Sequence, residues 1–547
     1  MASLLTTASA QTAYDRFFDE YYFPFSPTTA TSAGIHKYDD KLEDYSRAGI
    51  SKRVTELKKF ESEFAKLPES ADRDLVLNSI RASLLELETV RGWETNPDNY
   101  SSGITSSAFV IMSRTFAPAE TRLKSLVARE RLMPKVLAEA RANLKNPPRI
   151  FTEIAIEQIA GNVSFFENDV PLAFKAVEDP KLLAEFHASN AAVIAALKEY
   201  GEWMKKDLLP RSKGDFRLGT ATYAKKLQYE EMVDIPLDRL LAIGYDDLHA
   251  NQKKFAETAA RIDPSKTPKQ ILDEAEKDHP PADKLLDAFR DTLGGLTRFI
   301  EEHKIVTIPS PVPPILEETP PFMRALTFAS MDTPGPFENV AKEAFFNVTL
   351  PEKDWPKERV EDFMGAFNRG TILSTAIHEA YPGHYVQFLW MQHVDSKVRK
   401  LLGANSNAEG WAHYSEQMML DEGYTNGDPK MRLGQLQDAL LRDARYIVGI
   451  EMHTGKRTFD QGIEFFEKEG YQTHETAERE TKRGTSDPTY LYYTLGKLQI
   501  MKLREDYRKK MGAAFSLEEF HDSFMKQGFP PIKIVRKAML GDDSPTL

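Results

Sequence analysis

The chain has 547 residues, 41% hydrophobic and 28% charged, with a net charge of −12 and no cysteine. That length supports more than one hydrophobic core, and the acidic balance argues against a basic face for nucleic acid. The lack of cysteine excludes disulfide frameworks, thiolate metal sites and cysteine nucleophiles. No apolar run is long enough to span a bilayer.

The chain opens MASLLTTASAQ, in which Ala-Ser-Ala places a signal-peptidase-like cut after Ala10. The basic start and long apolar core of a full export signal are absent. Residues 1–10 are read as a signal remnant or a tail, with a periplasmic or secreted location expected and a cytoplasmic one as the alternative. Residues 52–67, 73–93 and 181–209 are apolar at i, i+3, i+4 and i+7 and predict helices. Residues 233–262 predict another, with Pro236 in its first turn. The fold class expected is mainly α.

A proline-dense stretch, IPSPVPPILEETPPFMRA, covers 308–325 and cannot continue a helix or a central strand. It sets the expected boundary between an N-terminal lobe, 11–320, and a C-terminal lobe, 321–547. AFFNVTL (344–350) then reads as a strand. It is either a structural hairpin or a strand lining the following site, with a free edge open to an extended peptide.

The chemistry concentrates in GTILSTAIHEAYPGHYVQ, residues 370–387. His378 and His384 flank Glu379 at a spacing of i and i+6, about 240° apart on a regular helix. A straight helix would not bring them to one ion. Pro382 and Gly383 lie between them, and a broken turn there returns His384 to the side of His378. A third ligand is expected from ANSNAEGWAHYSEQMMLDEG (404–423), with Ser406 or Asn407 as helix cap. Glu409, His413 and Glu416 share a face there; a resemblance to gluzincin-type peptidases, in which a glutamate on the next helix completes the ligand set, implies Glu409 as the ligand, with His413 the runner-up. Two histidines and a glutamate suit one Zn²⁺ per chain, with manganese or cobalt as alternatives. Glu379 is then placed to act as general base. No P-loop, serine elbow or dinucleotide fingerprint occurs.

These residues resemble the domain-of-unknown-function 885 family, whose members resemble gluzincin-type zinc metallopeptidases. The motif H-E-x-x-P-G-H-x-x-Q is matched by His378, Glu379, Pro382, Gly383, His384 and Gln387. E-G-W-A-x-Y-x-E is matched by Glu409, Gly410, Trp411, Ala412, Tyr414 and Glu416, with His413 where the family often has an apolar residue. An early feature matches from Gly34 to Ser46, and late ones at His453, Glu480, Arg483, Pro488, Tyr493 and Gly496. The resemblance implies a two-lobed helical metallopeptidase-like fold, with a deep cleft over the zinc and a small β element beside the active-site helix. It also implies a peptidase-like hydrolase and gives no substrate; a deep cleft would favour short peptides. Tyr493 is the expected oxyanion donor, or else part of a buried aromatic cluster with Tyr490 and Tyr492. Arg483 is a candidate clamp for a peptide carboxylate, or else pairs with Glu480. His453 is a candidate substrate contact or a core histidine, and Glu416 and Gln387 are expected to support the ligands from behind. The alternatives are a zinc hydrolase of non-peptide amides or esters, and a non-catalytic peptide-binding protein.

Overall fold

The computed structural model describes residues 12–320, 324 and 327–547. The expected cut after Ala10 lies outside the described residues. Helices dominate, and the only strands among the described residues are three short ones.

The chain folds as two compact units. The first comprises residues up to Arg217 together with Pro320–Ala325 and Pro334–Glu343. Its main helices are α1 (Arg47–Phe64), α2 (Ala71–Leu85), α3 (Asp98–Met112), α4 (Ala119–Glu130), α5 (Met133–Asn143), α6 (Arg149–Ser164) and α7 (Pro180–Trp203). Side-chain caps set several starts. Ser46 accepts from Gly49, Ser70 from Arg73, and Asp179 from Lys181 and Leu182, each meeting a donor the first turn leaves unpaired. The helices expected at 73–93 and 181–209 do not stay α-helical throughout. Each widens into a π-helical turn, Glu86–Val90 after α2 and Met204–Leu208 after α7. Leu123, Leu126, Phe165, Phe166, Val193 and Leu197 are among the fully buried core residues.

The second unit comprises Leu218–Thr319, Leu326–Thr333 and Ala344–Leu547. Its principal helices are α8 (Leu237–Ile262), α9 (Leu285–Glu302), α10 (Arg369–Glu379), α11 (His384–Trp390), α12 (Asn405–Asp421), α13 (Pro429–His453), α14 (His474–Ser486) and α15 (Tyr492–Met511). Pro236 immediately precedes α8, with extended ψ, and so starts that helix from outside. The compact units change at Arg217/Leu218, whereas the sequence reading put the boundary near 320. The reason is the packing of α8 along α13. A Cβ on Gly244 would come within 2.5 Å of the Tyr446 ring, so residues 218–319 are tied into the unit that bears the histidine motif.

The strands β1 (Ile315–Glu318), β2 (Ala329–Asp332) and β3 (Phe345–Val348) form a sheet in the order β1-β3-β2. β3 pairs parallel with β1, Ile315 opposite Phe345, and antiparallel with β2, Asp332 opposite Phe345. The strand expected at 344–350 is therefore present, but it is central and both its edges are taken. A free edge on it for a peptide is not available. β2 lies against α10, and Phe346 and Val348 join Ala376 and Ile377 in one core cluster.

Candidate metal centre

α10 ends where its sequence predicts a break. The Tyr381–Pro382 bond is cis, and the Gly383 N–H donates 3.0 Å back to the Ile377 carbonyl, six residues earlier. A Cβ on Gly383 would collide with the carbonyls of Ile377 and His378, so only glycine permits this close return. α11 then begins at His384. The two extra residues of the motif are absorbed in the break, and the imidazoles of His378 and His384 lie edge to face, 4.8 Å between centroids.

α12 supplies the third group. Its start is not capped by Ser406 or Asn407, as expected; both lie buried in its first turn. The Glu231 carboxylate accepts from the Ser406 N–H at 3.0 Å instead, meeting an otherwise unpaired donor of the first turn. The fully buried Trp411 donates from Nε1 to the Pro382 carbonyl at 2.8 Å and fixes α12 against the break. Gly410 meets Gly496 of α15 backbone to backbone; a Cβ on Gly410 would lie 2.5 Å from the Gly496 Cα. These contacts account for the Glu-Gly-Trp and Tyr-x-x-Gly motifs. The glycines let α12, which carries Glu409, touch α15, which carries Tyr493.

His378, His384 and Glu409 each offer a ligand atom, and these atoms lie within 4.8 Å of one another. Glu409 Oε2 is 3.3 Å from the Nε2 of each histidine. Behind them, His378 Nδ1 is 2.6 Å from Glu416 Oε1, and Arg442 Nη2 is 2.9 Å from the same oxygen. His413 Nδ1 lies 3.1 Å from the other oxygen, Oε2. A carboxylate only accepts, so His378 Nδ1 carries a proton toward Glu416, and Nε2 is the nitrogen that faces Glu409 and His384. Glu409 Oε2 is buried and has no hydrogen-bond donor. Two imidazole nitrogens and a carboxylate oxygen converge within reach of one divalent cation, and zinc is among the ions that such a donor set can hold.

Burial opposes charge on His378, but the carboxylates of Glu409 and Glu416 override it and lift its pKa to about 9, so a cation at Nε2 would take the place of a proton there. Burial pushes Glu409 up, while the adjoining imidazoles of His384 and His378 hold it well below the usual carboxylate range. Glu416 is likewise held low, against burial, by Arg442 and His413. Burial depresses His413 to about 3, so it is a neutral partner of Glu416. His413, the runner-up ligand, is not part of the converging set.

Glu379 is 9% exposed, and its carboxylate has no protein partner among the described residues. Gln387 Nε2 donates 2.8 Å to Asn407, and Asn407 donates 2.7 Å to the Pro530 carbonyl. It therefore braces α11 against α12 and bonds to none of the three ligands. Tyr493 is buried, its ring 6.3 Å from that of His378, and the guanidinium of Arg445 lies 4.9 Å over it. Arg483 does not pair with Glu480. Glu480 is taken by both arms of Arg445 at 2.7 and 2.8 Å, and Arg483 pairs with Asp487 at 3.1 Å. His453 is buried, its Nε2 2.7 Å from the Gly484 carbonyl and its Nδ1 3.4 Å from the Leu218 N–H. Both ring nitrogens are bonded to backbone, as in a core histidine, and His453 is not gathered at the triad.

Sequence reasoning missed Arg442, Arg445 and Asp487. A signal was present for the arginines. α13 buries Arg442, Asp443 and Arg445 within an otherwise apolar run, and buried charges need partners.

Two solved structures share this fold. A protein from Shewanella oneidensis, described as a candidate lipoprotein of unknown function, is 27% identical with a TM-score of 0.79, covering 96% of this chain and 99% of its own. A candidate lipoprotein from Colwellia psychrerythraea is 18% identical with a TM-score of 0.79, covering 97% and 99%. No curated protein matches the chain. The profile described as "Bacterial protein of unknown function (DUF885)" matches residues 27–539, and the chain, with its stretched histidine motif and paired motif glycines, belongs to that family.

Proposed function

We propose that the protein is a zinc-dependent peptidase, with His378, His384 and Glu409 as ligands of one Zn²⁺ and short peptides as substrates. The observation that carries the reading is the convergence of three ligand atoms within 4.8 Å, next in sequence to the unpartnered carboxylate of Glu379. A cation held there supplies Lewis acidity to a water and to a substrate carbonyl. Glu379 takes the proton of the attacking water and passes it to the leaving amine. The Tyr493 hydroxyl donates to the developing oxyanion. Glu416, held by Arg442 and His413, keeps His378 Nε2 aimed at the site. The neighbours' description as lipoproteins supports a place in the cell envelope or outside the cell. No helix among the described residues is long and apolar enough to cross a membrane.

The test is incubation of the zinc-loaded protein with a mixed peptide library and mass analysis of the products. The reading expects discrete cleavages in wild type and a loss of about 10²–10⁴-fold in Glu379→Gln with zinc retained. Cleavage undiminished in Glu379→Gln would remove the assigned base, and wild-type zinc protein that cuts no peptide would remove the peptidase reading.

A further inference from the structure

The two adjacent tyrosines at the start of α15 differ in where their protons go. Tyr492 donates its hydroxyl proton to Asp487 Oδ2 at 2.9 Å. Tyr493 instead accepts, at 3.1 Å, from Nη2 of Arg483. A guanidinium only donates, so the phenol oxygen is the acceptor and its own proton has no protein acceptor among the described residues. Arg483 is fixed for this role. Its Nε and Nη2 both reach Asp487 Oδ2, at 3.3 and 3.1 Å, and Nη2 also lies 3.4 Å from the Tyr492 oxygen. The neighbouring Arg445 is neutralised by Glu480 and Arg442 by Glu416. Each of these three arginines thus has its own carboxylate, so the cluster offers no surplus positive charge for a substrate carboxylate.

We propose that Arg483, anchored by Asp487, is a positioning residue that turns the Tyr493 hydroxyl outward as a hydrogen-bond donor to the reacting carbonyl, and is not the receptor of a substrate terminus. The proposal rests on the peptidase reading above. A donor bonded to the phenol oxygen polarises the O–H and strengthens the bond it gives. The same contact holds the ring in one orientation, so that the stabilisation is present before charge develops.

The test is steady-state kinetics of the zinc-loaded protein on a peptide pair identical except for a free or an amidated C-terminus. Arg483→Met, Arg483→Lys, Asp487→Asn and Tyr493→Phe are compared, with Arg483→Met also made in the Tyr493→Phe background. Metal content and melting temperature are measured for each. Tyr493→Phe is expected to lower kcat by about 10²–10³-fold. Arg483→Met should lower kcat about tenfold with KM little changed, equally on both peptides, and add almost nothing once Tyr493 is Phe. Arg483→Lys should restore part of the loss. If Arg483→Met does not fold, Asp487→Asn carries the same comparison through the anchor. A rise in KM confined to the free-acid peptide, additive with Tyr493→Phe, would overturn the proposal and make Arg483 a substrate clamp. A wild-type protein inactive on both peptides would instead overturn the peptidase reading, and the role of Arg483 with it.

Discussion

Glu416 has no exposed surface and takes three partners: His378, His413 and Arg442. Its negative charge does two things at once. It orients His378, a proposed ligand, and it neutralises an arginine that is 8% exposed. Glu416→Gln removes the charge and keeps the shape, so the expected result is a zinc affinity weaker by about 10–100-fold. A calorimetric zinc titration of both proteins checks this; equal affinities would show that His378 needs no support from Glu416. The convergence of His378, His384 and Glu409, with Glu416 behind them, was legible because the histidine motif and the i, i+4, i+7 face lie close in sequence. The positions of Arg442 and Arg445 were not, because each is defined by a partner on another element, whereas Asp487 lies at i+4 from Arg483 and was within reach of helical spacing. Arg483 shows the same limit. A helical i−3 spacing nominated Glu480 as its partner, but Arg445 from α13 presents a two-armed fork to that carboxylate and leaves Arg483 to Asp487.

At the scale of elements, the site depends on helices brought closer than side chains allow. α12 and α15 meet at Gly410 and Gly496, and α10 and α13 at Gly370 and Gly434, where a Cβ on Gly370 would lie 3.0 Å from the Gly434 Cα. A Cβ on Gly496 would enter the Ser406 carbonyl. Backbone cannot yield as a flexible side chain does, so Gly496→Ala is expected to lose about 1–3 kcal/mol or more and to weaken zinc binding by moving Glu409. Urea denaturation of the metal-free protein checks the first part. An unchanged midpoint would mean that the two helices are not held in contact at this point. Behind the same helices, Lys497 is 1% exposed and pairs with Asp247 of α8 at 3.1 Å, while Asp443 of α13 accepts from Asn251 and Thr494. Lys497→Met leaves Asp247 without its cation, and removing one partner of such a pair costs about 3–5 kcal/mol. Helix positions were legible from apolar periodicity, whereas the one cap expected from sequence, Ser406 or Asn407, lies inside the first turn of its helix. The π-helical turns and the central place of β3 were not legible, because local pattern does not encode which strand or helix arrives as neighbour.

On the scale of the whole molecule, each unit carries a buried carboxyl whose charge the fold disfavours. Burial raises Glu130 to about 8, against a bond from Ser189, and one of its oxygens has no partner. Burial raises Glu231 to about 7, against its bonds from Ser406. A raised carboxyl stabilises the fold while protonated. Its contribution is complete below the unfolded value near 4.5 and is lost as pH rises through the folded value. Glu130→Gln should therefore leave stability nearly unchanged at about pH 5 and increase it relative to wild type at about pH 8. Denaturation of both proteins at the two pH values checks this, and a difference that shrinks toward pH 8 would contradict the assignment. The unit boundary at Arg217/Leu218 was invisible to composition, because the proline-dense stretch marks a local break while the packing of Gly244 on Tyr446 decides which core residues 218–319 join. The central claim, that the stretched motif is a metal centre, is tested most directly by the zinc content of the purified protein after supply of the ion. Wild type, Glu379→Gln and His384→Ala are compared. The account predicts about one zinc per chain in wild type and in Glu379→Gln, with loss in His384→Ala. No bound metal in wild type, or equal binding in His384→Ala, would contradict it.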